Sequence, residues 1–236
     1  YGAGNNLGFQ NIKTRYGLIS NPDVIYNLNF FEEVQKYLIP DLEFSIIGPS
    51  YDNEDNYLTY GSFDNKKNII LKNKNYENKN LKEVDWVVGC SMLIDTHKVN
   101  SPKLFDENIF LYFEEIDFCR QTKINGGKVY SSSKLIIKHL GHKGSAATDP
   151  DYTIETEMFR NWHWMWSSFY YHKKYSGYFL AMRNMFGKFI KSFFKMIVFS
   201  IIYNKKKQTM YFARFSGLLN AFRGKDSWYR VKSLFK

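Results

Sequence analysis

The chain has 236 residues, enough for one sizeable core and a short extension, and 44% hydrophobic against 24% charged residues exclude both a disordered tail and an integral membrane bundle. Two cysteines, Cys90 and Cys119, exclude a disulfide framework and a cysteine-rich metal site, and they suit a reducing compartment. The net charge of +10 is uneven: residues 160–236 hold 16 Lys/Arg against the single acid Asp226, whereas residues 1–159 hold 17 basic and 22 acidic residues. Half of the 44 aromatic residues share that basic stretch, a composition that favours either nucleic acid or an anionic membrane surface.

The chain opens Tyr1-Gly-Ala-Gly4-Asn-Asn6 with no Met, basic leader or apolar run, so no signal peptide is visible. Tyr16 to Ser20 is a short apolar run stopped by Asn21-Pro22-Asp23, which predicts a strand and a turn. Leu28, Phe31, Val34 and Leu38 then recur at helical spacing up to Pro40. Phe44 to Ile47 predicts a second strand before Gly48-Pro49. Residues 51–82 are rich in Asn, Lys, Asp and Tyr and predict exposed loops with a hairpin around 57–71.

Val84 to Ile94 predicts a buried strand with one close backbone approach at Gly89. Phe110 to Phe113 leads into a helix from Glu114 to Asn125, with acids at its start and Gly126-Gly127 at its end. Val129 to His139 returns as a strand. Strands interleaved with helices predict an α/β sandwich, and such sheets place ligands beyond the carboxyl ends of their strands. Asp23, Glu114 and His139 all fall at such junctions.

Each of these residues has an ordinary and a chemical role. Asn-Pro-Asp is a common turn, yet a carboxylate turned into a cleft by a proline is also a hard ligand for a divalent cation. Adjacent acids at a helix start are usually solvated and favoured by the helix dipole; within apolar walls, such as the aromatic run before Glu114 provides, one becomes a general base. His139 and His142 sit in a glycine-punctuated loop, and a mixed set of carboxylate, imidazole and diphosphate suits Mg²⁺ or Mn²⁺ better than zinc. No Walker loop, Gly-x-Ser-x-Gly or His-Glu-x-x-His occurs.

In their order and spacing, Val84-Asp-Trp-Val-Val-Gly-Cys-Ser-Met-Leu-Ile94, Leu104-Phe-Asp-Glu-Asn-Ile-Phe-Leu-Tyr-Phe-Glu-Glu-Ile-Asp-Phe-Cys-Arg120, Asn125-Gly-Gly-Lys-Val-Tyr130 and His139 resemble family 2 glycosyltransferases of the rhamnosyltransferase type. Gly4-Asn-Asn-Leu-Gly8 and Asn21-Pro-Asp-Val24 are similar to that family's Gly-x-Asn-x-Gly segment and its variant of the Asp-x-Asp metal motif. The resemblance covers roughly residues 1–145. It implies an α/β fold of GT-A type, a Rossmann-like mixed sheet flanked by helices that lacks its first βα units, with a catalytic domain over 1–159 and a helical extension over 160–236.

It also implies roles. Asp23 and His139 would hold the cation, Mg²⁺ or Mn²⁺, and Asn5, Asn6, Asn21 and Asp23 would face the nucleotide-sugar donor, a dTDP- or UDP-sugar. Glu115 would be the base, in place of the commoner Asp and with one methylene more reach, and Glu114 the acid before it. Trp86, Gly89, Asp117 and Arg120 would line the sugar and acceptor side. The implied acceptor is a glycan or a lipid-linked sugar of a bacterial cell surface, and the implied location is cytoplasmic, peripheral on the inner face of the plasma membrane.

In the basic stretch Phe186, Phe189/Ile190, Phe193/Phe194, Ile197/Val198 and Ile201/Ile202 form an apolar stripe at helical spacing, with Lys188, Lys191 and Lys195 on another face. A basic amphipathic helix is therefore expected over 186–207, ending in Lys205-Lys206-Lys207. Met196 to Asn204 is the longest uncharged stretch there, too short against the ~20 residues that span a bilayer, so the helix is expected to lie on an anionic membrane. Two rivals to the enzyme follow: a noncatalytic membrane-surface module, and a nucleic-acid binder. Aromatics placed along an apolar stripe, not on an exposed stacking platform, disfavour the second.

Overall fold

The computed structural model describes residues 1–39, 42–52, 59–63, 80–99, 101, 103–140 and 150–230. The chain forms two compact units: an α/β unit of Ala3–Asp106 with Glu115–Gly144, and a helical unit of Tyr1–Gly2, Glu107–Glu114 and Ser145–Lys236. The boundary expected at 159/160 falls inside a helix of the second unit.

The α/β unit has a six-stranded mixed sheet flanked by helices. Its strands are β1 (Tyr16–Ser20), β2 (Val24–Tyr26), β3 (Ile46–Tyr51), β5 (Leu81–Glu83), β7 (Ser91–Asp95) and β8 (Val129–His139), while β4 (Tyr60–Gly61) and β6 (Trp86–Val87) make a separate pair. The main path runs β1-β7-β3-β8-β2, with β5 also on β8; among the described residues only β3 and β8 pair in parallel. The ends of this path are adjacent in sequence. Four peptide steps from Ser20 to Val24 reach at most about 14 Å, whereas a flat sheet would set the outer strands about 19 Å apart. The sheet therefore cannot be flat: it bends until β1 and β2 come within that reach at this end, and the Asn21-Pro22-Asp23 turn joins them.

Helices α1 (Gly2–Gln10), α2 (Phe30–Tyr37) and α3 (Glu114–Ile124) accompany the sheet, with Glu114 itself grouped in the helical unit. One core cluster gathers Ile46, Met92, Ile94, Phe105, Phe118 and Val129; another gathers Phe30, Val34, Ile47, Leu93, Leu135 and Ile137. Apolar runs on β3 and β7 are buried on both faces, as strands in the middle of a covered sheet must be.

Three expectations are corrected. The buried face of α2 is Phe30, Val34 and Tyr37, while Leu28 is 97% exposed and Phe31 points outward; the aromatic ring of Phe30 takes the core position that spacing alone gave to its neighbours. Val84 to Ile94 is not one strand: Val88 to Cys90 turn between β6 and β7, so the glycine breaks the run. β3 continues through Gly48-Pro49, with an irregularity between Gly48 and Ser50 absorbing the proline's missing donor. The hairpin expected around 57–71 lies largely outside the described residues, and within them Tyr60–Gly61 pairs with Trp86–Val87.

The helical unit contains α4 (Pro150–Ser176), α5 (Tyr178–Ile201) and α6 (Lys205–Phe222). The helix expected over 186–207 is thus two helices, broken where Tyr203 takes φ 55° and Asn204 caps α6 by accepting from the Lys207 N–H at 3.1 Å. Trp162, Met165, Trp166 and Phe169 of α4 pack with Ala181 and Met185 of α5 and with Ala213, Leu218 and Ala221 of α6. Gly217 makes the α4–α6 approach possible, because a Cβ there would lie 2.5 Å from the Trp162 carbonyl oxygen.

His163 sits inside this unit among Phe110, Phe159 and Trp162. Its Nε2–H donates to the Tyr229 carbonyl at 2.9 Å and Nδ1 accepts from Ser227 Oγ at 3.3 Å, which fixes a neutral tautomer. Burial pushes its pKa down to about 4. A histidine depressed in the fold contributes stability above its unfolded pKa and loses it as pH falls through the folded value. We expect the stability advantage of wild type over His163→Gln, measured by urea unfolding, to shrink by roughly 3 kcal/mol between pH 7 and pH 4. A pH-independent difference would contradict a neutral buried imidazole.

Candidate functional site

The turn that closes the sheet also builds the site. The Asn21 N–H donates to the Cys90 carbonyl at 2.8 Å on the β7 side, and the Leu140 N–H donates to the Asp23 carbonyl at 2.9 Å on the β8 side. In the β2–β8 register Val24 lies opposite His139. These pairings bring Asp23 Oδ2 to 3.3 Å from His139 Nε2. The imidazole in turn stacks on Tyr51, at the end of β3, with ring centroids 6.0 Å apart and planes inclined by 9°.

Tyr51 and Cys90 form the floor, with the tyrosine hydroxyl 3.6 Å from the thiol sulfur. Burial pushes both groups up: the Cys90 thiol reaches about 11, and the Tyr51 phenol lies far above its usual value. The negative charges of Asp23 and Glu115 raise both further. Those shared effects put Asp23 and Glu115 within electrostatic reach of the same two groups, although 92 positions separate them in the chain. Asp23 and His139 meet directly, and Glu115 acts on the floor beside them. Tyr51 and Cys90 were not among the expected site residues; a tyrosine at a strand's end and a cysteine in a glycine turn carry no spacing signal.

Glu114 belongs to the helical unit and stands apart chemically. It is buried, its Oε2 has no hydrogen-bond partner among the described residues, and burial pushes its carboxyl up to about 6. Before it, Tyr112 and Phe113 both hold left-handed backbone, at φ 65° and 73°. That costly conformation is held by Ser167 Oγ donating to the Leu111 carbonyl at 2.8 Å, Arg160 Nε donating to the Tyr112 hydroxyl at 2.7 Å, and Phe113 packing on Trp164 and Tyr171.

The other expected residues take several places in the α/β unit. Asn6 is buried, and its side chain clamps the Phe105 backbone in both directions at 2.9 Å. Asn5 is half-buried on the same helix α1, so the Gly4 to Gly8 segment is helical and not a loop. Asn21 spends its backbone on the turn. Trp86 packs against Gly61 and against the core, while Gly89 lies in the turn before β7 beside Cys90. Asp117 is buried two residues beyond Glu115, hence on a different side of α3, and Arg120 lies over the Phe63 ring at 5.0 Å.

One carboxylate and one imidazole at this separation fit Mg²⁺ or Mn²⁺ when phosphate oxygens and water complete the shell. Among the described residues no group of three or more His, Cys, Asp or Glu side chains forms a self-sufficient cage. Two cavities, of about 190 Å³ in the helical unit and about 350 Å³ between Glu43 and Lys128 at the opposite end of β3 and β8, are lined by none of the expected site residues. The group around Asp23 and His139 lies at the sheet's closure, and its chemistry singles it out. No protein-family model matches the chain, and no curated protein matches it.

Two outcomes follow. With thiol pKa values of about 11 and about 12, Cys90 and Cys119 hold about 0.1% thiolate or less at pH 8; both should resist iodoacetamide in the native chain and react after denaturation. Rapid native alkylation of Cys90 would contradict the closed floor. For Glu114 the folded pKa is raised, so stability present below the unfolded pKa is lost as pH rises through about 6. Glu114→Gln should gain roughly 2 kcal/mol on wild type between pH 4 and pH 7. An unchanged difference would show that the carboxylate is hydrated.

Proposed function

We propose that the α/β unit is the catalytic half of a GT-A type inverting glycosyltransferase, which moves a sugar from a dTDP- or UDP-sugar to a glycan or lipid-linked acceptor in bacterial cell-surface glycan synthesis. The observation that carries this reading is the Asp23–His139 pair at the sheet's closure, above a Tyr51–Cys90 floor that also feels the charge of Glu115. The sequence resemblance supplies the reaction class.

In this mechanism Glu115 accepts the proton of the acceptor hydroxyl as its oxygen attacks the anomeric carbon. The new C–O bond forms opposite the breaking bond to the nucleoside diphosphate, which leaves with inversion. Asp23 and His139 would hold Mg²⁺ or Mn²⁺, which when bound supplies positive charge for the departing diphosphate. Tyr51 holds the His139 ring plane by stacking, and the neutral Tyr51–Cys90 floor adds no competing charge. The peripheral, membrane-facing location extends the same proposal; among the described residues no helix is long and apolar enough to cross a membrane.

Glu115→Gln should lower kcat for sugar transfer by about 10²-fold or more with the donor KM little changed, because the amide keeps the shape and loses the base. Asp23→Asn should instead raise the donor KM and the Mn²⁺ requirement. Turnover of Glu115→Gln near that of wild type would remove Glu115 as base.

A further inference from the structure

The helix α5 is apolar on two sides. Ala181, Met185, Phe189 and Ser192 turn into the three-helix core, and Phe189 stacks on Phe215 at 4.7 Å between centroids. Phe186, Ile190, Ile197 and Ile201 run along the side turned away from that core, with Phe193 at its edge, where its ring lies 5.4 Å from Phe215 of α6. Phe194, Val198 and Ile202 widen this face, and it is open: Phe194 is 60% exposed, Ile201 69% and Tyr203 94%. An exposed apolar face of this length is more than a monomeric surface ordinarily tolerates.

Lys188 and Lys191 lie along the flank between the apolar face and the core, and Lys195 beside them is half-buried and donates to the Tyr211 hydroxyl of α6 at 3.0 Å. Exposed Lys205, Lys206 and Lys207 open α6 at the corner where Ile201, Ile202 and Tyr203 protrude. Arg183 lies within the open face. No acid occurs anywhere in α5 or α6.

We propose that the outer face of α5 and the α5–α6 corner seat the chain on an anionic lipid surface, with the apolar row in the acyl boundary and the lysines among the head groups. A second copy fits less well, since a two-fold contact would bring two acid-free basic faces together. Nucleic acid fits less well also, since Ile190, Ile197, Val198, Ile201 and Ile202 offer no ring for base stacking. Lipid answers both halves of the surface. This seating does not depend on the transferase reading.

The test is co-sedimentation of the 236-residue chain with vesicles of phosphatidylglycerol and phosphatidylcholine, or of phosphatidylcholine alone, at low and high salt. Wild type should bind the anionic vesicles, and more weakly at high salt. The exposed double substitution Ile197→Asp/Ile201→Asp should lower partitioning by about ten-fold or more; Lys205→Glu/Lys206→Glu/Lys207→Glu should lower it on anionic vesicles only. Unchanged helicity by circular dichroism separates these effects from unfolding. Equal binding by the aspartate variant and wild type would overturn the proposal. So would tighter binding to single-stranded RNA than to anionic vesicles at matched salt, or a dimer that the aspartate variant dissolves in a chain that ignores vesicles.

Discussion

Asn21, Pro22 and Asp23 have to join the two ends of a five-strand path, and that length is too short for a flat sheet. Much of the α/β unit follows from this constraint. The sheet curls, β3 and β7 pair only at Ile46 and Ile47 before diverging, and the gap they leave is filled by the Tyr51 hydroxyl and the Cys90 thiol. The bridging turn is anchored at both ends by backbone hydrogen bonds, to Cys90 and from Leu140. Asp23 is consequently fixed in depth and direction by main-chain geometry, beside an imidazole on the last residue of β8.

The electrostatic character of the group around Asp23 and His139 comes from the same closure. Tyr51 and Cys90 are held neutral throughout the physiological range, chiefly because burial penalises their charged forms. A neutral, partly apolar floor between carboxylates strengthens the interaction of those carboxylates with a cation compared with the same groups in water. His139 is stacked on Tyr51 in a nearly parallel plane, which limits the rotation of its ring and keeps Nε2 toward Asp23. In the helical unit the acid before Glu115 is treated differently: Glu114 is buried, with no partner for Oε2 among the described residues, after two left-handed residues, a conformation held by Ser167 and Arg160.

The sequence was legible where one local signal dominated. Tyr16–Ser20 and the Asn-Pro-Asp turn are where punctuation by proline puts them, and the end of the β8 strand at His139 agrees with its apolar run. Phase within α2 was not legible, because Leu28, Phe30 and Phe31 compete for one core position and tertiary packing chose Phe30. Gly89 signalled a close backbone approach, yet its effect was to end one strand and begin another. Asn6 matched a motif but its amide is consumed by Phe105, 99 residues away, a pairing that spacing cannot encode. The apolar stripe of α5 mixed two faces in one pattern: Phe189 turns inward and Phe186 outward, and only packing against α4 and α6 separates them.

Whether closure of the sheet creates one divalent-cation site is decided most directly by Mn²⁺ titration followed by electron paramagnetic resonance, with and without UDP. The account predicts that Mn²⁺ binds more tightly when UDP is present, that Asp23→Asn weakens binding by about ten-fold or more, that His139→Ala weakens it less, and that Glu115→Gln leaves it nearly unchanged. Mn²⁺ affinity that is the same in Asp23→Asn as in wild type would contradict the claim that the Asn21-Pro22-Asp23 bridge builds a metal site.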